Sequence, residues 1–296
     1  MAEAVGIIGG GALGTLLMKH LLAAGFRIHA LVRNAGRRLV LSRDLPEVAL
    51  ADDAASLRPA AVVFLCIKAY DTARTAVELR TLEAPRPVLC SLQNGWGNLE
   101  ILEREIPGAP LVAGATALGA YLDDHGALHS STRGATTLAP WGETPPQRAE
   151  EVARVLRRAG FDADVKPHAR AILWRKLTLN AAVNPLTALA GRPNGALLEE
   201  PGLGRLAEQA ALEAARVGGR LGHVEPDWNP LPALRALLEE TRANFSSMAQ
   251  DLARGRRTEI EAIAGAIVLA AEPLEEPVPV LRALRSLVRT AEGPAP

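Results

Sequence analysis

A doubly wound α/β domain with a mostly parallel sheet, followed by an all-helical domain, is the fold class predicted for this 296-residue chain. Three observations predict it. Short apolar runs alternate with helical stretches through the first half, a glycine-rich turn directly follows the first run, and strand signals stop near residue 167. The expected domains are therefore 1–167 and 168–296.

Val5 to Ile8, Ile28 to Val32, Ala61 to Ile67, Val88 to Leu92 and Leu111 to Ala115 each read as a buried strand. Leu13 to Ala24 and Thr72 to Leu82 carry helical spacing. From Gly119 to Pro140 the pattern turns to short polar–apolar alternation around Asp123-Asp124-His125-Gly126, which predicts antiparallel strands extending the sheet. A helix over Gln147 to Ala159 and a strand near Ala163 to Val165 close the domain. Beyond Lys166-Pro167, long Ala/Leu stretches predict helices over 169–190, 202–222, 231–254, 258–271 and 278–291. Turn chemistry separates them at Arg192-Pro193-Asn194-Gly195 and Asp227-Trp228-Asn229-Pro230.

Composition excludes several function classes. Apolar residues make up 48% of the chain and aromatic ones 3%, so the cores are built from Ala, Leu and Val. A net charge of zero gives no sign of a nucleic-acid or anionic-membrane surface. The amino-terminal residues lack a basic n-region and cleavage site, and charges or glycines interrupt every apolar run before it could span a bilayer. Cys66 and Cys90 lie in apolar strand-like runs, where buried free thiols are expected. Together these features predict a soluble cytoplasmic protein. No metal site is expected: the six histidines are scattered, and His125 and His129 lie across a glycine turn instead of on one helix face. No serine-centred nucleophile elbow is present.

The run Gly9-Gly10-Gly11-Ala12-Leu13-Gly14 follows a strand and opens a helix, which is the Rossmann-type context for a dinucleotide pyrophosphate. The first glycine permits the tight turn, the second allows the pyrophosphate close, and the third lets helix and sheet pack together. Amides at the helix amino end then face the phosphates. Where NAD-specific folds carry an acid at the end of the second strand, this chain has Arg33-Asn34, with Arg37-Arg38 close behind. A guanidinium suits the additional ribose phosphate, so NADPH is the expected cofactor, with Arg33 as an ordinary surface charge the plainer alternative.

In the second domain, Lys176 is one of only four lysines, against 33 basic residues in all. It sits beside Arg175 in Leu173-Trp174-Arg175-Lys176-Leu177. A lysine kept where arginine is the habit suggests a job for a group that can release a proton. Lys176, Asn180 and Asn184 fall at i, i+4 and i+8, which puts an ammonium and two amides on one helix face. Pro185 is expected to bend or end that helix. Thr258 with Glu261 reads as a capping box, which would put Glu259 in the first helical turn with its carboxylate ionised. Plainer alternatives stand beside each feature: a solvated Lys176, an Asn194-Gly195 turn and a Glu259 that merely suits a first turn.

Several segments together resemble the ketopantoate reductase family, the NADPH-dependent 2-dehydropantoate 2-reductases of pantothenate and coenzyme A synthesis. The carriers are the glycine turn, Ile67-Lys68-Ala69, Gln93-Asn94-Gly95-Trp96-Gly97, the Trp174-Arg175-Lys176 segment, Asn180 through Asn184-Pro185-Leu186-Thr187-Ala188, Pro193-Asn194-Gly195, Ser246-Ser247-Met248 with Gln250-Asp251, and Thr258-Glu259-Ile260. The resemblance runs nearly end to end, and the second-domain set is its specific part. It implies a carboxy-terminal domain like that of 6-phosphogluconate dehydrogenase. It also implies that Lys176 protonates the ketone oxygen as hydride arrives, and that Glu259 orients Lys176 and borders the nicotinamide. Asn180, Asn184, Asn194 and Ser247, with Lys176, would bind ketopantoate. Lys68, Asn94 and Ala120, with the glycine turn and Arg33, would contact NADPH. The Leu189-Ala190-Gly191-Arg192 segment and a Pro-rich carboxyl end depart from the pattern without removing a motif residue. Two rival readings are a paralogous reductase of another 2-keto acid and a non-catalytic NADPH-binding sensor. The asparagine set speaks against the first, and retention of Lys176 and Glu259 against the second. The oligomeric state stays open, a homodimer included.

Overall fold

The computed structural model describes residues 3–82, 85–123, 125–131 and 134–293. The chain forms two compact units, Met1–Gln93 with Asn98–Ile172, and Asn94–Gly97 with Leu173–Pro296.

In the first unit the strands are β1 (Ala4–Ile8), β2 (Arg27–Leu31), β3 (Ala49–Ala51), β4 (Val62–Leu65), β5 (Val88–Ser91), β6 (Leu111–Thr116), β7 (Gly119–Leu122), β8 (Leu128–Ser131), β9 (Thr136–Pro140) and β10 (Ala163–Val165). The helices are α1 (Ala12–Ala23), α2 (Ala35–Asp44), α3 (Thr72–Leu79), α4 (Asn98–Glu105) and α5 (Pro146–Arg158). An eight-stranded sheet runs in the order β10-β9-β6-β5-β4-β1-β2-β3. Its β3-β2-β1-β4-β5-β6 portion is parallel throughout, the order of dinucleotide-binding sheets. Every residue of β1, β4 and β5 is buried, because helices cover both faces, and this is why these strands read as unbroken apolar runs. Val5, Ile7, Leu17, Phe64, Val112 and Val152 lie in the core they share.

The stretch from Gly119 to Pro140 departs from expectation in part. β9 does extend the sheet, antiparallel to β6. Among the described residues, β7 and β8 instead pair only with each other, as a separate two-stranded ribbon. Its turn contains Asp124, which lies outside the described residues. Strand β3 was not expected; Ala-Leu-Ala is too short and too weakly apolar to signal an edge strand.

The second unit is helical among its described residues: α6 (Ala169–Ala190, whose first turn belongs to the first unit), α7 (Ala196–Glu199), α8 (Pro201–Arg220), α9 (Leu231–Glu240), α10 (Ser247–Ala253), α11 (Ala266–Ala271) and α12 (Pro279–Glu292). Ala207, Ala210, Ala211, Ala214 and Val217 form the buried stripe of α8. Gly218 continues it, and a Cβ there would stand 2.1 Å from Trp174 Nε1. The indole fills that space and donates to Ala214 O at 2.9 Å. The buried carboxylate of Glu213 accepts from Val280 N at 3.0 Å and Leu281 N at 2.9 Å, capping α12.

Two helical expectations need correction. The 231–254 stretch is two helices, broken at 241–246, where Ser246 caps α10 by accepting from Ala249 N. The expected helix over 169–190 is α6, which runs through Pro185 without ending there, and Thr187 Oγ1 bonds back to Val183 O at 2.9 Å in the next turn. The Thr258–Glu261 capping box does not form. Thr258 Oγ1 accepts from Ile260 N at 3.2 Å, Thr258 N donates to Glu292, and Glu261 pairs with Arg285 at 2.7 Å. Helical residues begin at Glu261 as a π-helical turn, Glu261–Gly265, leaving Glu259 just ahead of it.

Candidate active site

The glycine turn joins β1 to α1. Gly9 has φ of +111°, a conformation that suits glycine, and a Cβ there would lie 2.8 Å from Cys66 O in the chain leaving β4. A Cβ on Gly14 would stand 2.0 Å from Gly9 O, so helix and turn touch through backbone alone. Gly11 is different, since nothing lies within 4 Å of where its Cβ would be. It occupies the N-cap of α1, and no side chain caps the helix. The open space and uncapped amides at Ala12 and Leu13 fit a pyrophosphate. Because β1 and β4 are neighbours in the sheet, this turn lies at the strand carboxyl ends where the winding reverses. Lys68, half-buried, follows β4, and half-buried Ala120 lies on β7.

Arg33, Arg37 and Arg38, which follow β2, are each engaged. Arg33 Nη2 donates to Glu78 Oε2 at 2.7 Å and to Thr75 Oγ1 at 2.8 Å. Arg37 bonds Gly10 O at 2.7 Å and Thr15 Oγ1 at 2.8 Å, bracing the glycine turn. Arg38 holds Val32 O at 2.8 Å and Asp52 at 2.9 Å.

In the helical unit, Lys176 keeps some accessible surface, yet its surroundings strip enough water to bring its pKa from 10.5 down to about 8. The negative charge of Glu259 opposes that fall. Glu259 itself is buried, and Asn94 Nδ2 donates to its Oε2 at a long 3.5 Å. Asn94 comes from the β5–α4 connection, whose Asn94–Gly97 tip belongs to the helical unit. Gly95, at φ of +87°, presses so close to the π-helical turn that a Cβ would lie 2.6 Å from Ala262 O. Trp96 N donates to Ala262 O at 2.8 Å. Its ring meets Trp174 edge-on at 4.9 Å and stacks on His223 at 4.8 Å.

The unbroken α6 keeps Lys176, half-buried Asn180 and buried Asn184 in helical register on one face. Thr187 Oγ1 stands 2.8 Å from Ser246 Oγ, which ties the start of α10, and so the exposed Ser247, to the turn after Asn184. Asn194 is buried on a different segment. Its N donates to Asn244 O at 2.9 Å and its Nδ2 to Thr241 Oγ1 at 2.9 Å, while its Oδ1 has no partner among the described residues. Among the described residues, neither Asn194 nor Ser247 hydrogen-bonds to Lys176 or Asn180. A hydrogen bond thus joins Asn94 to Glu259, Lys176 feels the charge of Glu259, and Asn184 is linked to α10 through Thr187.

Sequence reasoning missed the role of Trp96, His223 and Ala262 in seating Asn94. Trp96 sits in a recognisable Gln-Asn-Gly-Trp-Gly run, but nothing in the sequence tells that it docks 78 and more residues away. It also missed Glu78 and Thr75 as partners of Arg33, since Arg74 and Glu78 read locally as an i,i+4 surface pair.

A glycine turn at the switch point of such a sheet, followed by a helical unit, is the arrangement of an oxidoreductase of the dinucleotide-binding class. Residues 5–143 match the family described as ketopantoate reductase PanE/ApbA, and residues 168–292 match its C-terminal part. The chain is 35% identical to 2-dehydropantoate 2-reductase of Archaeoglobus fulgidus, covering 98% of each chain. It is 33% identical to that of Halobacterium salinarum, covering 97% of this chain and 94% of the other. A crystal structure of a ketopantoate reductase from Ralstonia eutropha JMP134 superposes with a TM-score of 0.86 at 27% identity, covering 98% of both. D-mandelate dehydrogenase with NADH and anilino(oxo)acetate shares the fold, with a TM-score of 0.88 at 20% identity and 98% coverage of both. The chain belongs to the ketopantoate reductase family, NADP-dependent oxidoreductases acting on CH–OH groups of small molecules. Among the described residues, no helix is long and apolar enough to cross a membrane.

Proposed function

We propose that this chain reduces 2-dehydropantoate (ketopantoate) to pantoate with NADPH, and that Lys176 supplies the proton. The observation that carries this reading is the Lys176–Glu259–Asn94 group, in which burial brings a lysine pKa down to about 8 against the pull of a buried carboxylate. An acid of that strength is still protonated at neutral pH, yet gives up its proton far more readily than an ordinary lysine. The nicotinamide of NADPH, when bound, supplies the hydride. Lys176 Nζ donates to the ketone oxygen as negative charge develops there, and its own positive charge stabilises that oxygen until the proton has moved. Glu259 keeps the ammonium charged and aimed.

Gly9, Gly10, Gly11, Ala12, Leu13 and Gly14 would hold the pyrophosphate, supported by the open space at Gly11 and the uncapped helix start. Arg33 would receive the ribose phosphate, and Lys68, Asn94, Ala120 and Glu259 would contact the rest of NADPH. Asn180, Asn184, Asn194 and Ser247 would bind the substrate's carboxylate and hydroxyls. The buried Asn194 Oδ1, without a partner among the described residues, is suited to accept from a substrate hydroxyl. On this reading residues 1–167 bind the cofactor, 168–296 bind the substrate, and the product enters pantothenate and coenzyme A synthesis in the cytoplasm. The chemistry requires no second chain, and a homodimer is compatible with it.

The test is NADPH oxidation by the purified protein with ketopantoate, beside NADH, pyruvate and 2-ketoisovalerate. Turnover confined to ketopantoate and favouring NADPH supports the proposal. Preference for another keto acid would make the chain a paralogous reductase, and NADPH binding without turnover would make it a sensor.

A further inference from the structure

We infer that Glu78 on α3 sets how strongly this enzyme prefers NADPH over NADH, by competing with the ribose phosphate for the guanidinium of Arg33. The inference rests on the proposal that Arg33 receives that phosphate. Arg33 is already committed to a carboxylate: Nη2 and Nε reach Glu78 Oε2 at 2.7 and 3.3 Å. Thr75 Oγ1, itself bonded to Asp71 O at 2.9 Å, takes Nη2 as well at 2.8 Å. These contacts use the Nε and Nη2 edge of the fork, the edge with which arginine grips an oxyanion in bidentate fashion.

A phosphate arriving at Arg33 therefore meets a guanidinium whose charge is partly offset by a carboxylate, one that Arg74 also holds at 3.2 Å, instead of a bare cation. It must either displace Glu78 or share Arg33 with it while a carboxylate stands a few ångströms away. NADH carries no phosphate there and feels neither effect. Sequence alone reads Arg33 as suited to the ribose phosphate and so as favouring NADPH. The ion pair reduces that discrimination. The side chains of Arg33 and Glu78 retain 21% and 30% of their exposure, so water screens the contest, and Glu78 tunes the preference without abolishing it. The opposite view, that Glu78 helps by holding Arg33 in place, predicts the opposite sign, because losing the carboxylate would then loosen Arg33 and weaken NADPH.

Dissociation constants for NADPH and NADH, measured by calorimetry at low and high salt, decide the matter in wild type, Glu78→Gln, Glu78→Ala and Arg33→Ala. Thermal melts of each variant confirm that it is folded. The expected result is that both Glu78 variants bind NADPH about three- to tenfold more tightly. NADH should stay within about twofold, and the gain should shrink at high salt. Arg33→Ala should weaken NADPH alone. If Arg33→Ala weakens NADPH selectively while the Glu78 variants leave it unchanged or weaken it, the inference about Glu78 is overturned and the role of Arg33 survives. If Arg33→Ala affects both cofactors alike, the reading of Arg33 fails, and the inference with it.

Discussion

Asn94 and Glu259 stand 165 residues apart in sequence, yet the amide of one donates to the carboxylate of the other. That same carboxylate opposes the desolvation of Lys176. The Asn94–Gly97 tip of the β5–α4 connection thus reaches the charge that tunes the proposed proton donor. The seat of the loop is backbone as much as side chain, through Gly95 against Ala262 and the Trp96 N–H on Ala262 O.

Lys176→Ala is expected to lower kcat by about a hundred- to ten-thousandfold, the range for loss of a general acid, with a smaller change in KM. Lys176→Arg separates charge from proton transfer. It keeps a cation but cannot release a proton near neutral pH, so its kcat should fall nearly as far. Steady-state kinetics on both variants check this, and substantial recovery in the arginine variant would reduce Lys176 to an electrostatic role.

Two glycines of one turn should behave differently. Gly14→Ala brings a methyl to 2.0 Å from Gly9 O, so the turn must shift, and both thermal stability and NADPH binding should suffer. Gly11→Ala meets nothing within 4 Å and has an ordinary extended backbone, so its melting temperature should hardly move. Its methyl would still occupy space proposed for the pyrophosphate and weaken NADPH. Melting curves and cofactor titrations on the two variants make the comparison, and unchanged affinity in Gly11→Ala would count against the phosphate reading.

Gly95→Ala combines a positive φ with a methyl 2.6 Å from Ala262 O, and relief requires the loop to lift from the π-helical turn. The expected stability cost is about 1–3 kcal/mol. Because the lift carries Asn94 away from Glu259, kcat should fall by more than the loss of folded protein accounts for. Denaturant melts and kcat corrected for folded fraction separate the two effects.

Glu213→Ala removes the buried carboxylate that caps α12 and leaves Val280 N and Leu281 N without their acceptor. A loss of about 2–3 kcal/mol is expected. NADPH affinity per folded molecule should be unchanged, since none of the residues proposed to contact NADPH lies on α8 or α12. Chemical denaturation reads the first quantity and titration the second.

Much of this was legible in the chain because the signals are local. The glycine turn encodes its own geometry between Ile8 and Ala12, and the doubly buried strands announce themselves as apolar runs. Lys176, Asn180 and Asn184 were readable as one face because an unbroken helix preserves their spacing. What escaped depends on distant partners. Alternation from Gly119 to Pro140 shows strands but not that, among the described residues, β7 and β8 form a ribbon of their own. Thr258 and Glu261 have capping-box spacing, yet Arg285 and Glu292, far along the chain, take the bonds the box would have made. Arg33 likewise read as open to a phosphate, since no local pattern links it to Glu78. The break before α10 lacks glycine and proline, and only the Ser246 cap marks it.

The most direct test of the central claim is the pH dependence of kcat for ketopantoate reduction by wild type and Glu259→Gln under saturating NADPH. The proton donor must be protonated, and Lys176 loses its proton near pH 8, so wild-type kcat should fall as pH rises through about 8. Glu259 raises that pKa, so removing its charge should let burial carry it lower, moving the fall to more acidic pH and reducing the rate at pH 7. A wild-type profile flat to pH 10, or a limb that moves to higher pH in Glu259→Gln, would contradict the assignment of Lys176 as the acid tuned by Glu259.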